Sequence, residues 1–278
     1  MFASLLLIFR EGLEAALIAG IIFGTLDQLG HADRRRWVWA GIGLAGALSL
    51  ILAAALQIAG AKLEGRAEAI FEGSAMLLAV GVLTWMIFWM RYQSRQVSSI
   101  LKADVRAAVR SGQNWGLFSI AFLAVLREGI EAALFLTAAD FASGDGRAVF
   151  VGGLIGLVGA VVAGWMIYTS TARLNVRRFF EISSVILLFF AAGLFAHGLH
   201  EFEEIGWLPA LAEQVWNLKP VLDDESTVGS ILRTLTGYND DPALIEVIGY
   251  LVYWAGVLAL SGWWANRQPI QQPAVSGM

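Results

Sequence analysis

The chain has 278 residues, of which 58% are hydrophobic and 15% charged, with a formal net charge of −4 and no cysteine. That much apolar surface exceeds what one soluble core buries, so a lipid bilayer is the expected solvent. Structural disulfides, thiolate metal sites and catalytic thiols are excluded.

Seven windows are long enough to cross a hydrocarbon core, which takes about 20 residues at about 1.5 Å each. They lie at roughly 2–26, 37–60, 70–90, 115–139, 148–172, 179–202 and 246–265, and predict an all-α, polytopic membrane protein with seven transmembrane helices. The first window lacks a basic n-region, runs past signal-peptide length and carries Arg10, Glu11 and Glu14 in its middle, so a retained span is expected rather than a cleaved leader. The second and fifth windows are rich in glycine, at Gly41, Gly43 and Gly46 and at Gly152, Gly153, Gly156 and Gly159, which predicts close helix approach. Gly41 to Gly46 also spells GxGxxG, but no strand precedes it, and these glycines are assigned to packing rather than to a dinucleotide.

Between the windows the charge alternates. Segments 27–36, 91–114 and 173–178 are net positive, with Arg34, Arg35 and Arg36 in the first and Arg173, Arg177 and Arg178 in the third. The alternate loops are neutral or acidic, above all 201–242. The positive-inside rule places the N-terminus outside and the C-terminus in the cytoplasm of a cell inner (plasma) membrane protein. The expected organisation is a first three-helix repeat at 1–92, a basic cytoplasmic linker at 93–114 suited to an anionic leaflet, and a second, inverted three-helix repeat at 115–204. An acidic extracytoplasmic segment at 205–242, a seventh helix at 243–266 and a cytoplasmic tail at 267–278 complete it.

The case for two repeats rests on duplicated sequence. "FREGLEAAL" at Phe9 to Leu17 returns as "LREGIEAAL" at Leu126 to Leu134, 117 positions later, and "IFEG" around Glu72 is echoed by "FFEI" around Glu181. Three spans per copy insert the second copy upside down, the architecture of many transporters, whose substrate sites lie near the midplane at the repeat interface. Glu11 lies ten residues from the chain start, about 15 Å along a helix and near half the core thickness, and Glu128 is similarly central.

At 100° per residue, Glu14 points about 60° from Glu11 and about 40° from Arg10, so all three share one face. Arg127, Glu128 and Glu131 repeat the arrangement. Arg10 with Glu14 and Arg127 with Glu131 form i,i+4 pairs in which a guanidinium holds a carboxylate ionised. Facing copies offer four carboxylates against two arginines, a formal charge of −2. Hard oxygen ligands of this kind suit hard cations. Interhelical ion pairs without further function would not leave two carboxylates uncompensated at membrane depth, where each ionisable group costs about 2.5–3.5 kcal/mol or more.

The paired "REGLE" and "REGIE" motifs in an N-out protein of seven spans resemble the oxidase-dependent iron permease family, which includes the fungal high-affinity iron permeases and the bacterial EfeU type. The likeness covers nearly the whole chain, and the second motif departs only in Ile130 for leucine. By that resemblance Glu11, Glu14, Glu128 and Glu131 are ferric-iron ligands of a permeation site, with Arg10 and Arg127 as their organisers, and the protein is a permease and not an enzyme. No cofactor is implied beyond the transported iron. The implied partners are iron ions, the lipid bilayer and an extracytoplasmic iron-oxidising or iron-delivering protein of the EfeO or EfeB type. Nucleic acid is not among them.

Weaker signals flank this core. Glu72 and Glu181 each read as opening a helix, one near the outer and one near the inner face, and are candidate vestibule ligands. An acid in a first helical turn equally serves the helix dipole. At the end of the sixth window "HGLHEFEE" sets His197, His200, Glu201 and Glu204 within two turns as a candidate outer capture site, the plain alternative being a solvated helix end. Two further functions fit the ligand types: a permease for another cation such as lead or ferrous iron, and a membrane-embedded di-iron oxidase. The oxidase needs Glu-x-x-His pairs at one depth, whereas the histidines here lie away from the glutamate motifs.

Overall fold

The structure, a computed structural model, describes residues 1–169, 175–209, 211–212, 214–224 and 226–267, and the side chains of all of these except 91–97, 227, 234 and 264–267. The described residues are helical or connect helices: α1 (Phe2–Gln28), α2 (Arg35–Gly60), α3 (Arg66–Arg110), α4 (Asn114–Ser143), α5 (Gly146–Tyr168), α6 (Val176–Glu204), α7 (Thr227–Thr236) and α8 (Leu244–Arg267). Connections are tight where the sequence supplies the turn chemistry. Gly144 takes φ 64° to close α4, its N–H bonding the Asp140 carbonyl, and Asp145 at once caps α5 by accepting from the Ala148 N–H.

Five segments combine the length and apolarity of a membrane span: Ala32–Gly60, Arg66–Met90, Gly146–Tyr168, Val176–Glu204 and Leu244–Trp263. With them the chain is a multi-pass membrane protein. Helices α1 and α4, of 27 and 30 residues, are just as long. What sets them apart is the Arg, Glu, Glu triad in the middle of each.

One expectation is corrected. The basic segment 93–114 is not a separate linker, because α3 runs unbroken for 45 residues to Arg110. No glycine or proline occurs between Gly81 and Gly112 to stop it. Nor does its last part lie free on a surface: Val105, Ala108 and Val109 are buried against Ile22, Leu26, Val38, Leu117 and Ala121, where α1 ends and α2 and α4 begin. The acidic segment 205–242 contains α7, capped by the Ser226 hydroxyl and closed by Gly237 at φ 70°. Residues 268–278 of the expected tail fall outside the described residues.

The helices pair across the two halves of the chain rather than within them. α1 packs most extensively on α5, α2 on α4, and α3 on α6. Small residues set each crossing. A Cβ added to Gly41 of α2 would lie 2.6 Å from the Phe118 carbonyl oxygen of α4, and one on Gly156 of α5 would lie 2.5 Å from the Leu5 carbonyl oxygen of α1. Both contacts advance in register along parallel helices, from Gly41 to Ser49 along α2 against Phe118 to Gly129, and from Gly152 to Gly164 along α5 against Met1 to Ala16. The N-terminal part of α1, at Ala3 and Leu7, instead clusters with Phe135 and Ala138 near the C-terminal part of α4. α1 and α4 are thus antiparallel.

Not every glycine of the second window serves packing. Gly43 and Gly46 have nothing within 4 Å of an added Cβ. Gly41→Ala should therefore destabilise the folded protein by about 1–3 kcal/mol through overpacking, while Gly43→Ala should be neutral or stabilise by up to about 1 kcal/mol through helix propensity. Thermal unfolding of the two variants in detergent checks the contrast, and equal losses would place α2 differently against α4.

Candidate metal centre

The motif glycines decide how closely the charged turns are covered. A Cβ on Gly12 would lie 2.7 Å from the Ala160 Cβ of α5, and one on Gly129 would lie 2.6 Å from the Ser49 Cβ of α2. Each "REG" turn is therefore pressed under a small residue of the partner helix, and the glutamates on either side turn inward to the α1–α4 contact. The sequence reading missed this role. Its only signal was that glycine holds the same place in both motifs.

Four glutamates were expected to converge, and three do so closely. Glu11 of α1 and Glu128 and Glu131 of α4 are all buried, and one carboxylate oxygen of each lies within 4.8 Å of the others. Neither oxygen of Glu11, nor Oε2 of Glu128, nor Oε2 of Glu131 has a hydrogen-bond partner. Glu14 stands beside this trio, its Oε1 buried and 3.4 Å from Arg10 Nε. Oxygens at this separation fit a single hard cation, which binds each ligand at about 2.0–2.6 Å. Without a cation, buried carboxylate oxygens facing one another carry both a desolvation cost and mutual repulsion.

The two arginines are not equivalent, although their motifs are. Arg127 is 43% exposed and donates from Nε to Glu131 Oε1 at 2.9 Å, with its guanidinium 5.0 Å from the Trp89 ring centroid. Arg10 is wholly buried: Nη2 donates to Met90 Sδ at 3.0 Å, the Phe180 ring lies 5.9 Å away, and Nε and Nη1 have no hydrogen-bond partner. Consecutive residues of α3, Trp89 and Met90, thus hold the arginine of one motif each. Within the sequence "FWMRYQ" they looked like a featureless span end. Nothing in their spacing relates them to the motifs, because the contact joins residues 80 positions apart.

The flanking candidates separate into two kinds. Glu72 lines a cavity of about 560 Å³ with Glu68, Glu201 and Glu204, so α3 and α6 bring two of the expected sites together. Glu181 is exposed and accepts from Arg177 Nε at 2.8 Å, away from the trio. Both glutamates sit in the second turn, since α3 begins at Arg66 and α6 at Val176, so the helix dipole explains neither as well as the sequence suggested. His197 Nε2 is 3.9 Å from Glu201 Oε1, and His200 Nε2 is 3.6 Å from Glu204 Oε1. Two residues the sequence did not point to join them: Glu246 of α8, 3.5 Å from His197 Nδ1, and Glu203, 3.5 Å from His200 Nδ1.

Comparison with known proteins gives a consistent picture. The family model described as "Iron permease FTR1 family" matches residues 1–265. The chain is 37% identical over 258 residues to the ferrous iron permease EfeU of Escherichia coli O6:H1, covering 91% of this chain and 92% of that protein. It is 35% identical over 262 residues to the ferrous iron permease EfeU of Yersinia pestis, covering 94% and 93%. No solved structure matches.

The α3 clamp makes a distinguishable prediction. Met90→Leu keeps the volume but removes the acceptor for Arg10, and should weaken cation binding by about tenfold, the size of one hydrogen bond to a charged group. Met90→Gln restores an acceptor and should retain most of the affinity. Titration of both purified variants with a divalent cation reads the difference; a greater loss in Met90→Gln would mean that Met90 matters only as packing.

Proposed function

Since the chain belongs to the iron permease FTR1 family, we propose that iron crosses the membrane through the carboxylate trio of Glu11, Glu128 and Glu131, with Glu14 beside it. The observation that carries this reading is the set of buried, partnerless oxygens on two antiparallel helices, at a spacing one ion spans. When these groups are ionised, a cation that they share offsets their desolvation and mutual repulsion.

On this reading α1 and α4 also cross the bilayer, giving seven spans in two inverted three-helix repeats plus α8. The reciprocal pairing of α1 with α5 and α2 with α4 supports it, as does the matched placing of Gly12 and Gly129 under Ala160 and Ser49. The alternating loop charges favour an N-terminus outside and a C-terminus in the cytoplasm of the inner membrane. Iron would then enter from the face bearing the α6–α8 cluster, delivered by an extracytoplasmic partner that handles iron.

The resemblance to oxidase-dependent permeases pointed to ferric iron. The charge of the site favours the divalent ion instead: four carboxylates and two guanidiniums leave a formal −2, which Fe²⁺ neutralises and Fe³⁺ overshoots. The relatives' own description as ferrous iron permeases agrees.

Proteoliposomes offered labelled iron in either oxidation state test the proposal. Uptake should be faster for ferrous iron, and Glu11→Gln, Glu128→Gln and Glu131→Gln should each lower the initial rate by about a hundredfold or more, the scale of unbalancing a buried charge group. Glu14→Gln should lose less. Normal uptake in any two of the three trio variants removes the shared site. Topology is read separately: cysteines replacing Gln113 and Arg147, which flank α4, should react with impermeant thiol reagents from the cytoplasm and from outside respectively. Labelling of both from one face contradicts a spanning α4.

A further inference from the structure

The α1–α4 pair is packed differently on the two sides of the trio. Toward the N-terminus of α1 and the C-terminus of α4, the outer side in the topology proposed above, Leu7 stands four positions before Glu11 and Phe135 four positions after Glu131. Each therefore lies one turn outward on the same helix face as its glutamate. Both are wholly buried, in a cluster with Ala3, Met76, Leu83 and Leu187. Inward of the trio the packing is looser. No residue from Glu14 to Ile21 of α1 is buried, and none from Phe122 to Arg127 of α4. Runs of that length cover every face of a helix, and Arg127 within the second is 43% exposed. The start of α6, whose Phe179 and Phe180 approach Phe9 and Arg10, has no buried residue from Val176 to Ile182 either. The next packed layer inward, Ile22 and Leu26 with Leu117 and Ala121, joins α1 and α4 to α2 and the end of α3 and includes no residue of α6.

The duplicated sequence gives this difference its meaning. At the 117-position offset of the two motifs, Leu7 corresponds to Ala124 and Phe135 to Ile18; at the 109-position offset of Glu72 and Glu181, Met76 corresponds to Val185. Leu7, Phe135 and Met76 have no exposed surface, whereas Ala124 and Ile18 are only partly buried and Val185 is 54% exposed. Equivalent positions of two inverted copies are thus closed on the outer side of the trio and open on the inner side, the one-sided state that alternating access requires. The packing also shows where the closed side parts. Within the pairs α1–α5, α2–α4 and α3–α6, glycines meet backbone: Gly156 the Leu5 carbonyl, Gly41 the Phe118 carbonyl, and Gly73 the Gly198 carbonyl, 3.1 Å from an added Cβ. Between α1 or α4 and the α3–α6 pair, the closed cluster is instead made of long side chains, Met76, Leu83, Phe135 and Leu187, which separate without dragging backbone against backbone.

We infer that Leu7, Phe135 and Met76 form the outer gate of the permeation path, closed in this structure over a trio that faces inward, and that the gate opens when the α3–α6 pair rocks away from α1 and α4. The inference rests on the reading of α1 and α4 as inverted spanning copies that hold iron between them. An apolar gate suits that reading, because a bare cation does not enter a dry layer of leucine, methionine and phenylalanine. Iron then leaves the outer side only when the two bodies separate.

The chain has no cysteine of its own, so single cysteines in the full chain report the gate. Membrane vesicles are treated with an impermeant methanethiosulfonate from one face at a time, with Arg147→Cys and Gln113→Cys marking the outer and inner faces. Ala15→Cys and Ala124→Cys, one turn inward of Glu11 and Glu128, should react from the Gln113 face alone. Leu7→Cys and Met76→Cys should react from the Arg147 face about ten- to a thousandfold more slowly than Arg147→Cys, the range set by a minor open state. A static core would also protect them, so a second variant separates the two cases. Phe135→Ala removes contacts made only in the closed state; it should speed labelling of Met76→Cys from the Arg147 face by about tenfold or more and slow Ala15→Cys from the Gln113 face, a reciprocal change that loosened packing alone does not produce. Fast labelling of Leu7→Cys and Met76→Cys from the Arg147 face in the otherwise unaltered chain overturns the inference. So does failure of both Ala15→Cys and Ala124→Cys to react from the Gln113 face, or a Phe135→Ala variant that leaves both rates unchanged. Labelling of Arg147→Cys and Gln113→Cys from one face is a different failure: it removes the spanning reading itself, and the gate with it.

Discussion

Carboxylates held together in a low-dielectric interior, with most of their oxygens unbonded, are the constraint on which the remaining structure depends. Glu11, Glu128 and Glu131 face one another, buried, across the contact of α1 and α4. Such a group persists only if the frame around it is rigid enough to resist the outward turn of each side chain, and only if positive charge is close. The frame comes from glycine crossings, the charge from two arginines.

The frame is economical in sequence terms. Because Gly12 and Gly129 carry no side chain, Ala160 and Ser49 press directly onto the motif turns, which leaves the flanking glutamates no space except toward the centre. A methyl group at either glycine would push α5 or α2 outward and loosen the site. The same residue that makes each charged turn weaker as a helix makes it tighter as part of a bundle. Parallel pairing of α1 with α5 and of α2 with α4 then repeats the arrangement on both sides of the trio, so that neither half of the chain builds the site alone.

Symmetry ends at the arginines and at the helix ends. A buried guanidinium bound to a thioether and an aromatic ring, as at Arg10, is poorly satisfied beside a half-exposed one that bonds its own glutamate, as at Arg127. The two copies of one motif are therefore not equivalent in how their arginines are held. The α6–α8 end adds imidazole, and the exposed Glu181–Arg177 pair at the start of α6 has none among the described residues.

The sequence by itself determined the membrane setting, the helix positions to within a few residues at most ends, and the residues of the trio. Each follows from local quantities: apolar run length, turn chemistry around Gly144 and Asp145, and charges set inside otherwise apolar segments. Periodicity also put Glu11, Glu14 and Arg10 on one face. It did not separate Glu14 from the trio, because a face of a helix spans more than the few ångströms over which ligands must agree. Nor did it find Trp89, Met90 and Glu246, whose chemistry is supplied by partners 80 positions away for Met90 and 49 for Glu246. Their own neighbours in sequence say nothing about those partners. Gly43 shows the reverse case, a residue that looked like packing and faces open space, since only the crossing angle of two helices decides which glycine lies beneath the contact. Composition and spacing fix what a segment is able to do; the tertiary structure alone decides which groups come within bonding distance, because that distance depends on helix contacts no stretch of sequence contains.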